Sequence, residues 1–367
     1  MRSSAEIWWT GVIGASEYIN CIEQSLKDKN SILLFIPQRI PWHDCFIEHI
    51  KVDNPNKNTM SFNLIDCSKI VENNLGLMLL NRYGSNEQKS KYKPNLSISG
   101  YLFDNNILNN RTIWLYNIPE RLENRWITFL CEFQRRKLLH SNFNNNSILC
   151  MEIDDTHQRS VNSPYTDTII WNKQIFDYDV LMFAMHRVRN INEPESIKKY
   201  VSQIASSMAS FDIELCDNLI AQYYKLIRYP RETIQAICDT NYKNDTARIF
   251  KMTKRKYDYI LWSAQEQVLF PIIERERLNF INKYYDVVSK NFSSPEVKAN
   301  CETPLDVELG TLVYICLKKF SGTEIIKNNS YDWKSLETLH KARNNIAHRA
   351  YVSFETFNDI INIKFTD

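Results

Sequence analysis

Three residues near the carboxyl end of the chain have the types and spacing for proton transfer on a phosphodiester. They are Arg343, Asn344 and His348, within Lys341-Ala-Arg-Asn-Asn-Ile-Ala-His-Arg349. Histidine titrates near neutrality, so it can move a proton to or from a ribose 2′-hydroxyl. Arginine presents a fixed fork of donors that can steady the charge of a phosphorane. An asparagine amide can orient either group. Asn344 and His348 are four apart and share one face of a helix. Arg343 is adjacent and long enough to reach round.

This pattern, Arg-Asn followed four residues later by His, resembles the signature of the HEPN superfamily. Many of those helical domains are metal-independent ribonucleases. The resemblance covers roughly 246–367. It implies catalytic roles for Arg343, Asn344 and His348, no cofactor, and a site completed when two such helices meet across a homodimer. The same residue set also serves in helical domains simply to tie helices together or to pair proteins, so a structural role stands beside the catalytic one. His340, eight residues before His348, reads as a partly buried structural histidine.

A second cluster is basic. Arg248, Lys251 and Arg255 fall at helical spacing, with Lys254 and Lys256 beside them and Tyr257 and Tyr259 following. Such a stripe suits RNA phosphates and bases. A solvated helix face is the plainer reading. Glu152, Asp154, Asp155 and His157 lie just past a strand end, where a carboxylate group suits Mg²⁺ or forms an acidic loop. His43, Cys45 and His49 superficially suggest metal ligands, but their spacing matches no common zinc pattern and no second pair accompanies them. No metal site is expected.

The elements that must position these residues fall into two halves. Ser31–Ile36 is a continuous apolar run of the kind that forms a buried parallel strand. Ser61–Ile65, Thr112–Tyr116, Ser147–Ile153 and Thr168–Trp171 read as further strands, with helices over 17–26, 42–51 and 122–140. Residues 84–94 read as a loop and 142–146 as a polar turn. The alternation predicts an α/β domain with a mostly parallel sheet. After about Asp177 the strand signals stop, and an all-α region follows. Its helices are predicted over 178–189, 196–211, 213–226, 246–290 (broken near Pro271), 304–320 behind Thr303, 333–350 capped by Asp332, and 353–361.

The layout of 31–175 resembles an AAA-type or signalling (STAND-type) P-loop ATPase core, with 178–245 resembling its helical lid. The resemblance is one of pattern. ATP or GTP needs a glycine-rich loop and a lysine after the first strand. Here Pro37-Gln-Arg-Ile-Pro-Trp42 stands in that place, and none of the seven glycines precedes a lysine. Two prolines cannot donate backbone N–H groups to a phosphate. Nor does an aspartate end the third strand, which runs into Asn117-Ile-Pro-Glu120. A degenerate domain that does not hydrolyse nucleotide is expected. The expected organisation is 1–177, 178–245 and 246–367.

Composition sets the bounds. The 367 residues exceed one ordinary core, and a 44% hydrophobic content excludes global disorder. A net charge of +2 is no nucleic-acid footprint by itself, so any RNA contact must be local. Nine cysteines form no Cys-x-x-Cys pair and most lie in apolar runs, which fits reduced thiols and a cytoplasmic protein. The amino terminus carries no apolar signal region, and no run is long enough to span a membrane.

Domains of the HEPN kind joined to ATPase-like modules recur in prokaryotic conflict systems. The resemblances therefore imply an RNA-targeting component of such a system, either a ribonuclease or an RNA-binding subunit, acting as a homodimer or with protein partners. The alternative is a non-enzymatic scaffold that docks on an active ATPase or a defence complex.

Overall fold

The computed structural model describes residues 2–37, 39–139, 146–154, 161, 163–241, 252–298 and 301–365. The chain divides into two compact units, Met1–Phe183 and Ala184–Asp367.

The first unit opens with α1 (Ser4–Gly11) and α2 (Ile13–Lys27), then β1 (Ser31–Ile36), α3 (His43–Asp53) and β2 (Ser61–Asp66). Three short helices follow: α4 (Leu75–Tyr83), α5 (Asn86–Lys91) and α6 (Ile98–Asp104). Then come β3 (Arg111–Tyr116), α7 (Glu120–Leu139), β4 (Ile148–Asp154), β5 (Thr166–Ile170), α8 (Trp171–Gln174) and α9 (Asp177–Val188). The division between the units falls within α9. The five strands form one all-parallel sheet in the order β2-β3-β4-β1-β5.

Each central strand is buried on both faces, which is why its sequence is a continuous apolar run. One face carries Leu33, Phe35, Ile113, Leu115, Leu149 and Met151 against α4, α6 and α7. On the other, Trp114 meets Phe46 of α3, which also packs on Trp9 of α1. Tyr18 of α2 packs edge-on against Trp171. Gly14 lets buried Asp179 close over this end. Gly14 N–H donates to Asp179 Oδ1 at 3.1 Å, and a Cβ there would sit 2.5 Å from Oδ2.

The second unit holds α10 (Glu195–Ala209), α11 (Ile213–Ala221), α12 (Tyr223–Leu226), α13 (Pro230–Asn241) and the long α14 (Lys254–Lys283). Then follow α15 (Tyr285–Phe292), α16 (Pro295–Lys298), a 3₁₀ turn at Pro304–Asp306, α17 (Leu309–Leu317), α18 (Glu324–Asn328), α19 (Ser330–Ala347) and α20 (Phe354–Asn362). No strand occurs in it among the described residues. The 184–241 helices pack directly on the later ones: Tyr200 of α10 stacks on Phe357 of α20 at 4.4 Å.

Several expectations need correction. Residues 86–91 form a helix, started by a reciprocal capping box between Ser85 and Gln88. The helix expected over 304–320 is a 3₁₀ turn and a separate α17. The 213–226 stretch is two helices meeting at Gln222. The polar turn expected over 142–146 lies, up to 145, outside the described residues, as does 246–251 of the long helix.

Pro271 does not break α14. Proline lacks the N–H that would bond the carbonyl four residues back. That carbonyl belongs to Gln267, and Lys199 Nζ of α10 donates to it at 3.1 Å. A packed neighbour supplies the missing donor, so the helix runs on.

Candidate functional site

The Arg-Asn-His run occupies the last turn of α19. This helix forms because Leu336, Leu339, Ala342 and Ile346 recur on one face and are buried. Its amino-terminal cap is Asn329, whose side chain accepts from Asp332 N–H at 3.2 Å. The Asp332 predicted as the cap sits one turn in and is almost wholly buried. It accepts from Tyr284 Oη at 2.5 Å and pairs with Lys283 Nζ at 3.0 Å. The Tyr284 hydroxyl is pushed up by burial and by that carboxylate.

At its other end α19 closes in a Schellman motif. Arg349 takes a left-handed backbone (φ 58°), Ala350 N–H donates to Asn345 O at 2.8 Å, and Arg349 N–H to Ile346 O at 3.0 Å. The long helix α14 secures this end. Trp262 Nε1–H donates to Ile346 O at 2.8 Å. The Gln265 amide holds the Val352 backbone twice, accepting from its N–H at 2.7 Å and donating to its carbonyl at 2.8 Å. Gln265 also reaches Tyr200 Oη at 3.2 Å. Helix α14 thus runs antiparallel to α19 and splints both ends of it.

The structure brings Arg343 and Asn344 together with a residue other than His348. Asn344 Nδ2 lies 3.0 Å from His340 Nε2, one turn back. Arg343 pairs with Glu308 Oε2 at 3.2 Å, just before α17. Gly310 of α17 lies beside His340, where a Cβ would stand in ordinary contact, 3.4 Å from its Nε2. Burial first, then the charges of Arg343 and Lys341, hold the His340 imidazole below its usual range. His348 is the C-cap residue. Its ring is exposed and makes no side-chain hydrogen bond among the described residues. The shared face of Asn344 and His348 is therefore not used: the helix ends at His348, and Asn344 turns to the histidine inside it.

Of the basic stripe, Arg248 and Lys251 lie outside the described residues. Lys254, Arg255 and Lys256 are exposed and form the first turn of α14, behind the Thr253 cap. Three cations at the positive end of a helix dipole oppose helix formation. Tyr259 is exposed beside Trp262, with ring centroids 5.5 Å apart, whereas Tyr257 is buried.

In the first unit, the β1–α3 connection carries no glycine, and Trp42 within it is left-handed (φ 45°). His43, which follows, turns onto the carboxyl ends of the strands. Its Nε2 lies 2.8 Å from Glu152 Oε1, and the indole N–H of Trp114 donates to the same oxygen at 2.7 Å. The His43 ring stacks on Tyr116 at 4.6 Å. Glu152 is only 6% exposed. It is thus engaged inside the unit rather than presented with Asp154 to an ion; Asp155 and His157 lie outside the described residues. Burial, then Asp66, Asp44 and Glu152, push the Tyr116 hydroxyl up. Burial and Asp66 push the Cys67 thiol to about 12.

Sequence reading missed Trp262, Gln265, Glu308 and Glu23 (which faces α3, below). Each acts across 26 to 87 residues of chain, and no local pattern marks such partners. No protein-family model, curated protein or solved structure matches the chain. No helix among the described residues is long and apolar enough to cross a membrane.

Proposed function

We propose that the second unit is an RNA-targeting module, with Arg343, Asn344 and His348 as its working residues, serving in a prokaryotic conflict or anti-phage defence system. The observation that carries the reading is the presentation of the motif. Trp262 clamps the last turn of α19 and Gln265 the chain just beyond it, while the His348 ring stands exposed at the helix end. A rigid scaffold with exposed proton-carrying and cationic groups suits a site completed by a second copy of the chain. In that arrangement His348 moves the proton of the 2′-hydroxyl, and Arg343, exchanged from Glu308, meets the phosphate. The surface pair with Glu308 is weak, on the order of 1 kcal/mol or less, so exchange is easy. The exposed Lys254, Arg255 and Lys256 turn, with Tyr259, adds local attraction for a polyanion. The reading needs no cofactor.

The second reading is a non-enzymatic scaffold that docks on an active ATPase or a defence complex. It is favoured by the pairing of Asn344 with His340 and of Arg343 with Glu308, and by the engaged His43–Glu152 pair at the strand ends of the first unit. The degenerate P-loop-like reading of 1–177 and the lid-like reading of 178–245 belong to this same proposal.

The test is incubation of the purified full chain with total RNA in EDTA, beside His348→Ala. Cleavage without metal that falls roughly 10²–10⁴-fold in the variant supports the ribonuclease. Absence of cleavage by a folded homodimer removes it in favour of the scaffold.

A further inference from the structure

We propose that Glu23, His49 and Asp53 form a divalent transition-metal site, best suited to Zn²⁺, that staples α2 to α3. The proposal is independent of the RNA reading and lies wholly in the first unit.

Glu23 projects from α2, while His49 and Asp53 stand four apart on α3 and so share a face. One ligand atom from each lies within 4.8 Å of the other two. His49 Nε2 is 3.5 Å from Asp53 Oδ2, too long to count as a hydrogen bond. Among the described residues the Glu23 side chain makes no hydrogen bond, and no lysine or arginine forms an ion pair with Glu23 or Asp53. Two carboxylates thus face each other across an imidazole. A cation placed between the three relieves the carboxylates' repulsion.

The donor set selects the ion. One imidazole nitrogen with two carboxylate oxygens suits Zn²⁺ and its neighbours; Mg²⁺ and Ca²⁺ prefer oxygen alone. Zinc–ligand bonds of about 2.0–2.2 Å place tetrahedral ligand atoms about 3.5 Å apart. His49 and Asp53 already stand at this spacing, 3.5 Å apart, and the Glu23 carboxylate lies within 4.8 Å of both, a gap that rotation of its three side-chain torsions can close. Three protein ligands leave the fourth position to water. The spacing escaped sequence analysis because Glu23 lies 26 residues before His49.

The test uses the full chain, freed of metal with EDTA and dialysed, and titrated with Co²⁺ and then Zn²⁺. The expected result is a saturable visible Co²⁺ spectrum without thiolate charge-transfer bands, displaced by one equivalent of Zn²⁺. Zn²⁺ should also raise the Tm by a few degrees. Affinity should fall at least tenfold in Glu23→Gln, His49→Ala and Asp53→Asn. Asp53 is exposed, so that variant decides the matter should His49→Ala fail to fold. No saturable binding, thiolate bands, or affinity unchanged in Asp53→Asn and Glu23→Gln would overturn the proposal.

Discussion

The Asn344 side-chain amide is 3.0 Å from Nε2 of His340, and this contact, rather than one to His348, is what orients it. It has a consequence for pH. The His340 imidazole is held below its ordinary value of 6.5 by burial, Arg343 and Lys341, with Gly310 packed close on the α17 side. The unfolded chain therefore binds this proton more readily than the folded one. Stability is full above about pH 6.5 and declines as the pH falls toward the lower folded-state value. Urea midpoints at pH 7.5 and 5.5 should differ less in His340→Gln than in the parent; an equal difference would show that other groups govern this window.

Gln265 holds both polar groups of the Val352 backbone and is itself 1% exposed. Gln265→Leu keeps the bulk but strands two buried backbone groups. A loss of about 2–4 kcal/mol in urea unfolding is expected. In the ribonuclease reading, any surviving cleavage should fall as well, since the turn bearing His348 loses its anchor.

The Lys199–Gln267 bond exists because Pro271 cannot donate. Lys199→Ala alone should cost about 1 kcal/mol. In a Pro271→Ala background the helix regains its own donor, and the same Lys199→Ala should cost close to nothing. The double-mutant cycle measures this coupling directly, and additive losses would refute it.

Arg349 is left-handed where helices ordinarily place glycine. Arg349→Gly should stabilise the second unit by about 1 kcal/mol, read as a higher thermal midpoint. A lower midpoint would mean that the Arg349 side chain contributes more than its backbone costs.

Much of this was legible beforehand. Ser31–Ile36 and Ile148–Asp154 announce themselves as buried parallel strands, because burial on both faces demands unbroken apolar runs. The start of α20 at Ser353 and the loss of strands after α9 were equally plain. The short helices α4, α5 and α6 were not, since six to nine residues carry too few turns to show a period.

By itself, then, the sequence determined the two-part architecture, the apolar faces and the Arg-Asn-His run, because local propensity and periodicity are properties of neighbouring residues. Only the tertiary structure decided what those residues meet. Asn344 has a histidine four positions away on either side, and spacing cannot choose between them. The helix ends at His348, and Asn344 turns inward to His340. Pro271 is survivable only because Lys199 arrives from another helix. Glu23 meets His49 and Asp53 only where α2 and α3 lie side by side. Such pairings depend on how helices pack, and packing is set by the whole core rather than by any stretch of chain.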